Sequence, residues 1–123
     1  MGLSRIQAGF PSPADGSIDE VLDLNSLMVR RPSATFFVRV EGDSMKDAGI
    51  LSGDILVVDR AERARHGAVV LAVLDGEFTI KQWVGDALLP ANPAYPRIPL
   101  HAGRDFEIWG VVMYAIHPVS CSR

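Results

Sequence analysis

The sequence predicts a mainly β fold of antiparallel strands, with one short helix and an extended N-terminal arm. Three observations carry this expectation. Short runs of β-branched, aromatic and aliphatic residues succeed one another from Thr35 onward. Glycines and prolines punctuate the gaps between them. The dipeptide Asp75-Gly76 separates two of the runs at hairpin spacing. A chain of 123 residues is of single-domain length. At that size it buries about two-thirds of its unfolded surface, enough for a true core.

In chain order, residues 1–15 read as a flexible arm. Gly2, Gly9, Pro11, Pro13 and Gly16 interrupt any periodicity there and in the residues just beyond, and proline can neither donate to a ladder nor continue a helix. The body is expected over residues 16–123. Leu24, Leu27, Met28 and Arg31 recur at i, i+3, i+4 spacing behind Asp23 or Asn25 as N-cap, which predicts a short helix ending before Pro32. Strands are expected over 35–41, 55–59, 68–74, 77–84, 87–90 and 106–116. The run from Ala68 to Leu74 is apolar without interruption, as in a strand covered on both faces.

Composition narrows the function before any motif is considered. The apolar fraction of 48% and charged fraction of 22% are those of a globular protein. The net charge of −3 argues against a phosphate-neutralising surface, so direct specific DNA binding is not expected. The single cysteine, Cys121, allows neither an internal disulfide nor a Cys-based zinc site. No apolar run approaches the roughly 18 residues of a membrane span, and the first residues lack the apolar stretch of a signal peptide. A cytoplasmic protein is expected, with no metal and no cofactor.

Two positions carry the candidate chemistry. In Gly42-Asp43-Ser44-Met45, a serine follows an apolar strand and sits one residue from a glycine. The plain reading is an N-cap; the alternative is a nucleophile in a tight turn whose free amides hold an oxyanion. A serine needs a base. None of His66, His101 and His117 stands in a recognisable partner motif, and each reads as ordinary surface. A lysine serves instead if desolvation lowers its pKa from about 10.4 toward neutrality. Lys81 is one of two lysines, the other being Lys46. On the strand over 77–84, Lys81 shares a face with Thr79 and Trp83, while Phe78, Ile80 and Gln82 share the other. Arg60, Arg63 and Arg65 with Asp59 and Glu62 read as a solvated mixed-charge turn.

Gly42-Asp43-Ser44-Met45, Gly53-Asp54 and the hairpin from Asp75 to Lys81 resemble the LexA-type family of self-cleaving Ser–Lys peptidases, which share a LexA/signal-peptidase-like antiparallel β fold. The segment Ala8-Gly9-Phe10-Pro11-Ser12-Pro13-Ala14, with Asp23-Leu24-Asn25 and Pro32-Ser33-Ala34-Thr35, resembles the UmuD-like branch of that family, accessory subunits of error-prone translesion DNA polymerases. The resemblance runs from about Gly9 to Tyr114. It implies Ser44 as nucleophile, Lys81 as general base and the backbone amides of Asp43 and Ser44 as oxyanion hole. It also implies Ala8–Gly9 as the bond cut, with the chain's own arm as substrate. Ser44 stands 35 residues beyond Gly9, and an extended residue spans up to about 3.3–3.6 Å, so reach is no obstacle.

The same resemblance implies a homodimer, cleavage stimulated by a RecA filament on single-stranded DNA, and a processed form that joins the UmuC-like catalytic subunit of a Y-family DNA polymerase. Eight residues precede the bond, where UmuD-like proteins carry a longer arm, and no helix-turn-helix domain of the repressor kind is expected. Two other readings stand beside this one. The first is a non-catalytic polymerase-binding module. The second is a signal-peptidase-like processing enzyme, which needs a membrane anchor that the sequence does not display.

Overall fold

The computed structural model describes residues 23–120. Two compact units divide the chain between Arg30 and Arg31. The expected arm over residues 1–15, the Ala8–Gly9 bond and Cys121 lie outside the described residues.

In the first unit, helix α1 spans Leu24–Met28. Asp23 is its N-cap: Oδ1 accepts from the Asn25 amide at 3.0 Å and Oδ2 accepts from the Ser26 hydroxyl at 3.0 Å. This satisfies one of the amides that a helix start leaves without an intrahelical partner.

The second unit is one seven-stranded antiparallel sheet in the order β1-β2-β7-β3-β4-β5-β6. The strands are β1 Thr35–Arg39, β2 Ile55–Asp59, β3 Val69–Leu74, β4 Glu77–Trp83, β5 Ala87–Leu89, β6 Ile98–Pro99 and β7 Phe106–Ile116. The mainly β expectation and its strand positions hold. The addition is β6, two residues long and containing a proline, too short to show any period.

Each connection follows from local chemistry. Asp75 and Gly76 have φ of 51° and 83°, the positive pair that a two-residue hairpin matched to strand twist requires. They set the β3–β4 register with Leu74 opposite Glu77 and Val70 opposite Lys81. β7 is an interior strand, pairing with β2 on one side and β3 on the other. The register shifts once on each side of it, at Val57/Val58 and at Leu71/Ala72, and such bulges add local twist. Gly110 lies where β7 passes β2 too closely for a side chain: a Cβ there would stand 2.6 Å from Val58 Cγ1.

The sheet buries both faces in its centre, as the apolar run of β3 predicts. One cluster holds Val40, Met45, Ile50, Leu56, Val58 and Leu71; the other holds Val70, Ala72 and Leu88. Successive residues of β3 therefore serve opposite clusters, which is the period of a pleated strand. Among the described residues no helix is long and apolar enough to cross a membrane.

The charged segment after β2 is not merely solvated. Asp59 is buried and accepts from Arg31 at 2.7 Å, from the Ala61 amide at 2.8 Å and from the Glu62 amide at 3.1 Å. These donors hold its carboxyl below the usual carboxylate range, although burial alone raises it. The Arg60 guanidinium lies 4.2 Å from the Trp109 ring centroid, a cation–π contact.

Candidate active site

The loop over residues 40–54 joins β1 to β2 and carries Ser44. Its base is closed by the Val40 amide donating to the Asp54 carbonyl at 2.9 Å and the Gly53 amide donating to the Val40 carbonyl at 2.8 Å. Gly42 has φ of 95°, a left-handed conformation that a side chain would strain, and it reverses the chain just before Asp43-Ser44. Met45, buried to 3% exposure, anchors the turn in the core. A 3-10 turn over Lys46–Ala48 follows, with Met45 rather than Ser44 at its cap position and no side-chain capping bond. The N-cap reading of Ser44 therefore fails, and its hydroxyl is engaged elsewhere.

That engagement is with β4. Lys81 Nζ donates to Ser44 Oγ at 3.1 Å and to Thr79 Oγ1 at 2.7 Å. Lys81 is only 8% exposed. Among the described residues no carboxylate pairs with it. Burial without a counter-ion disfavours the ammonium, and Lys81 is pushed below its ordinary 10.5 by that desolvation. The strand period places Thr79 and Lys81 on one face of β4. Thr79 is the residue that sequence reasoning passed over while listing it beside Lys81: its hydroxyl fixes where the amine points.

Ser44 and Lys81 open on a cleft of about 360 Å³ lined by Val38, Val40, Met45, Leu71, Phe78 and Ile80 together with Thr79 and the polar loop residues. Phe78, Thr79, Ile80 and Lys81 all line it although their side chains alternate, so the cleft meets β4 along its edge. β5 pairs with β4 only at Gln82 and Trp83, and among the described residues no strand pairs with the edge before them, which has the geometry to receive an extended segment.

The amides of Asp43 and Ser44 have no hydrogen-bond acceptor among the described residues. A second loop, over residues 90–97 between β5 and β6, grips the serine loop from behind. Asn92 Nδ2 donates to the Asp43 carbonyl at 2.9 Å, and the Tyr95 hydroxyl donates to Asp43 Oδ1 at 2.7 Å. That bond holds the Tyr95 phenol above its usual 10.0. No pattern in the sequence pointed to Asn92 or Tyr95.

The histidines stand apart. None lines the cleft or bonds to Ser44 among the described residues. His66 and His101 are exposed. His117 is not ordinary surface: it is half-buried, with Nδ1 3.1 Å from Oδ2 of the fully buried Asp54. Among the described residues no group of three or more His, Cys, Asp or Glu side chains is placed to hold a metal ion.

A family model described as Peptidase S24-like matches residues 1–113. Protein SamA of Salmonella typhimurium is 52% identical over 116 residues, covering 92% of this chain and 81% of its own length. Protein MucA of Salmonella typhimurium is 46% identical over 127 residues, covering 98% of this chain and 86% of its own. LexA repressor 1 of Xanthomonas campestris is 46% identical over 114 residues, which are 89% of this chain and 56% of the repressor. By a family match across most of its length and relatives close to half identical, the chain belongs to the Peptidase S24-like family, as a UmuD-like member of the LexA-type, self-cleaving serine peptidase kind.

Proposed function

We propose that this chain is a self-cleaving endopeptidase that cuts its own Ala8–Gly9 bond with Ser44 as nucleophile and Lys81 as general base. The observation that carries the reading is a buried lysine amine, with no carboxylate partner among the described residues, 3.1 Å from a serine hydroxyl at the mouth of an apolar cleft. Neutral Lys81 takes the Ser44 proton as Oγ attacks the Ala8 carbonyl carbon. The carbonyl oxygen becomes an oxyanion that the Asp43 and Ser44 amides stabilise. The ammonium then returns the proton to the departing Gly9 amine. Water, deprotonated by the same lysine, hydrolyses the Ser44 ester. Met1–Ala8 leaves as a free acid and the chain from Gly9 remains. Physical reasons support each position: glycine after the bond leaves room for the attacking hydroxyl, alanine before it suits a shallow pocket, and the open edge of β4 accepts an extended strand.

Activation by a RecA filament on single-stranded DNA, a cytoplasmic setting, the division into an arm over 1–15 and a body over 16–123, and a homodimeric processed form that joins a Y-family polymerase catalytic subunit in SOS mutagenesis all belong to the same proposal. Cleavage would be the switch and binding the output.

Two preparations separate these parts. The purified chain, Ser44→Ala and Lys81→Ala are incubated with the filament and their intact masses measured. Loss of Met1–Ala8 from the parent alone is expected, and an uncut parent would overturn the peptidase reading. A chain beginning at Gly9 and carrying Ser44→Ala is then assayed for lesion bypass. Bypass at the level of the processed parent places the output in binding; no bypass would tie it to catalysis.

A further inference from the structure

We infer that the loop over residues 90–97 is a clamp on the oxyanion-stabilising peptide, with Asn92 and Tyr95 as positioning residues for the Ser44 loop; this rests on the peptidase reading above.

The inference starts from the peptide unit between Asp43 and Ser44. The Asp43 carbonyl and the Ser44 N–H belong to one rigid trans plane and point in opposite directions. Whatever fixes the carbonyl therefore aims the amide. The Asp43 carbonyl accepts two hydrogen bonds, from the Lys46 amide at 3.2 Å and from Asn92 Nδ2 at 2.9 Å. The Lys46 bond is internal to the turn. The Asn92 bond comes from 49 residues away and ties the plane to the sheet.

Asn92 is itself held. It is 6% exposed, and its Oδ1 accepts from the Ala94 amide at 2.9 Å, which orients the side chain so that Nδ2 faces Asp43. The Tyr95 amide donates to the Asn92 carbonyl at 3.0 Å, and the Tyr95 hydroxyl grips the Asp43 carboxylate. Asp43 is thus held at its carbonyl and at its side chain by one loop. Two more contacts join the loops: the Asp47 amide donates to the Ala91 carbonyl at 2.8 Å, and the Ala91 amide donates to Met45 Sδ at 3.3 Å. None of these residues lines the cleft except Met45, so the clamp acts behind the reacting atoms and leaves Lys81 untouched.

The test uses the full chain and follows loss of Met1–Ala8 across a pH series, giving a plateau rate and a pH midpoint, with the thermal midpoint measured alongside. Asn92→Asp keeps the acceptor for Ala94 but loses the donor to Asp43. It is expected to lower the plateau about tenfold or more, since small misplacements of a catalytic group are amplified in rate. Tyr95→Phe removes one exposed hydroxyl and keeps the ring, and it is expected to lower the plateau about threefold. In Tyr95→Phe, which adds no charge, the pH midpoint stays at the parent's value, whereas a general loosening of the fold around Lys81 would move it; in Asn92→Asp the added carboxylate favours the ammonium and raises the midpoint, so there the plateau alone is read. Tyr95→Phe combined with Asp43→Ala is expected to be no slower than the slower single variant, because both remove the same bond. Variants that cleave at the parent's plateau rate, or a rate loss that tracks the thermal midpoint, would overturn the clamp and leave the peptidase reading standing. A parent that never cleaves would overturn both.

Discussion

Thr79→Val removes one oxygen and nearly nothing else, and it reports directly on the state of Lys81. In the native chain the Thr79 hydroxyl accepts from Lys81 Nζ at 2.7 Å. A hydrogen bond involving an ion contributes about 1.5–3 kcal/mol and one between neutral groups about 0.5–1.5. Losing it therefore weakens the ammonium more than the free amine, by about 1 kcal/mol. That difference is roughly 0.7 of a pKa unit, downward. Lys81 already lies below 10.5 through burial, and the valine methyl adds to that desolvation, so both effects have the same sign. If neutral Lys81 is the base, the pH midpoint of cleavage falls by somewhat under one unit in Thr79→Val. The plateau rate falls as well, because the amine loses the contact that orients it toward Ser44. The assay is the first-order loss of Met1–Ala8 by intact mass across a pH series that brackets the parent's midpoint. A midpoint that stays put or rises would refute the assignment of the ascending limb to Lys81.

Three further outcomes follow from particular contacts. Lys81 carries fewer protons in the fold than in the unfolded chain between its depressed pKa and 10.5; stability to denaturant should rise with pH through that window. Lys81→Met removes that rise, and urea midpoints measured over the window in both proteins check it. Gly110→Ala places a methyl 2.6 Å from Val58 Cγ1 and 3.3 Å from the Asp59 carbonyl, so it should lower stability by about 1–3 kcal/mol, read as a drop in thermal midpoint. Asp54→Ala takes the acceptor from the Leu51 amide, now bonded at 2.8 Å to the fully buried Asp54 carboxylate; a loss of about 1–3 kcal/mol is expected from the same measurement.

The sheet was legible because its signals are local. Ile55–Asp59 and Phe106–Ile116 show their own composition, and Asp75-Gly76 dictates a hairpin through the φ values it tolerates. Ile98–Pro99 could not be read: two residues have no period, and their strand character comes only from pairing with β5. The site divides in the same way. The strand period put Thr79 and Lys81 on one face, but only the three-dimensional packing brings Ser44, 37 residues earlier, against the amine. The burial that depresses Lys81 is likewise a property of what surrounds β4, which its own residues do not state. Asn92 and Tyr95 escaped notice because they stand in a Pro-rich loop whose contacts reach back 49 and 52 residues. Charge density misled in one place. Asp59 to Arg65 looks like a solvated turn in sequence, whereas Asp59 is buried and collects donors from Arg31 and two amides.

The central claim is that Ser44, activated by Lys81, cuts the chain's own Ala8–Gly9 bond, and the most direct test needs only the purified protein. The chain and its Ser44→Ala variant are held at mildly alkaline pH without any partner, and the mass of every species is followed with time. The account predicts a product from the parent whose mass is that of the chain beginning at Gly9, appearing faster as pH rises, and none from Ser44→Ala. An intact parent at every pH that stays intact when the filament is added, or the same product from Ser44→Ala, would contradict it.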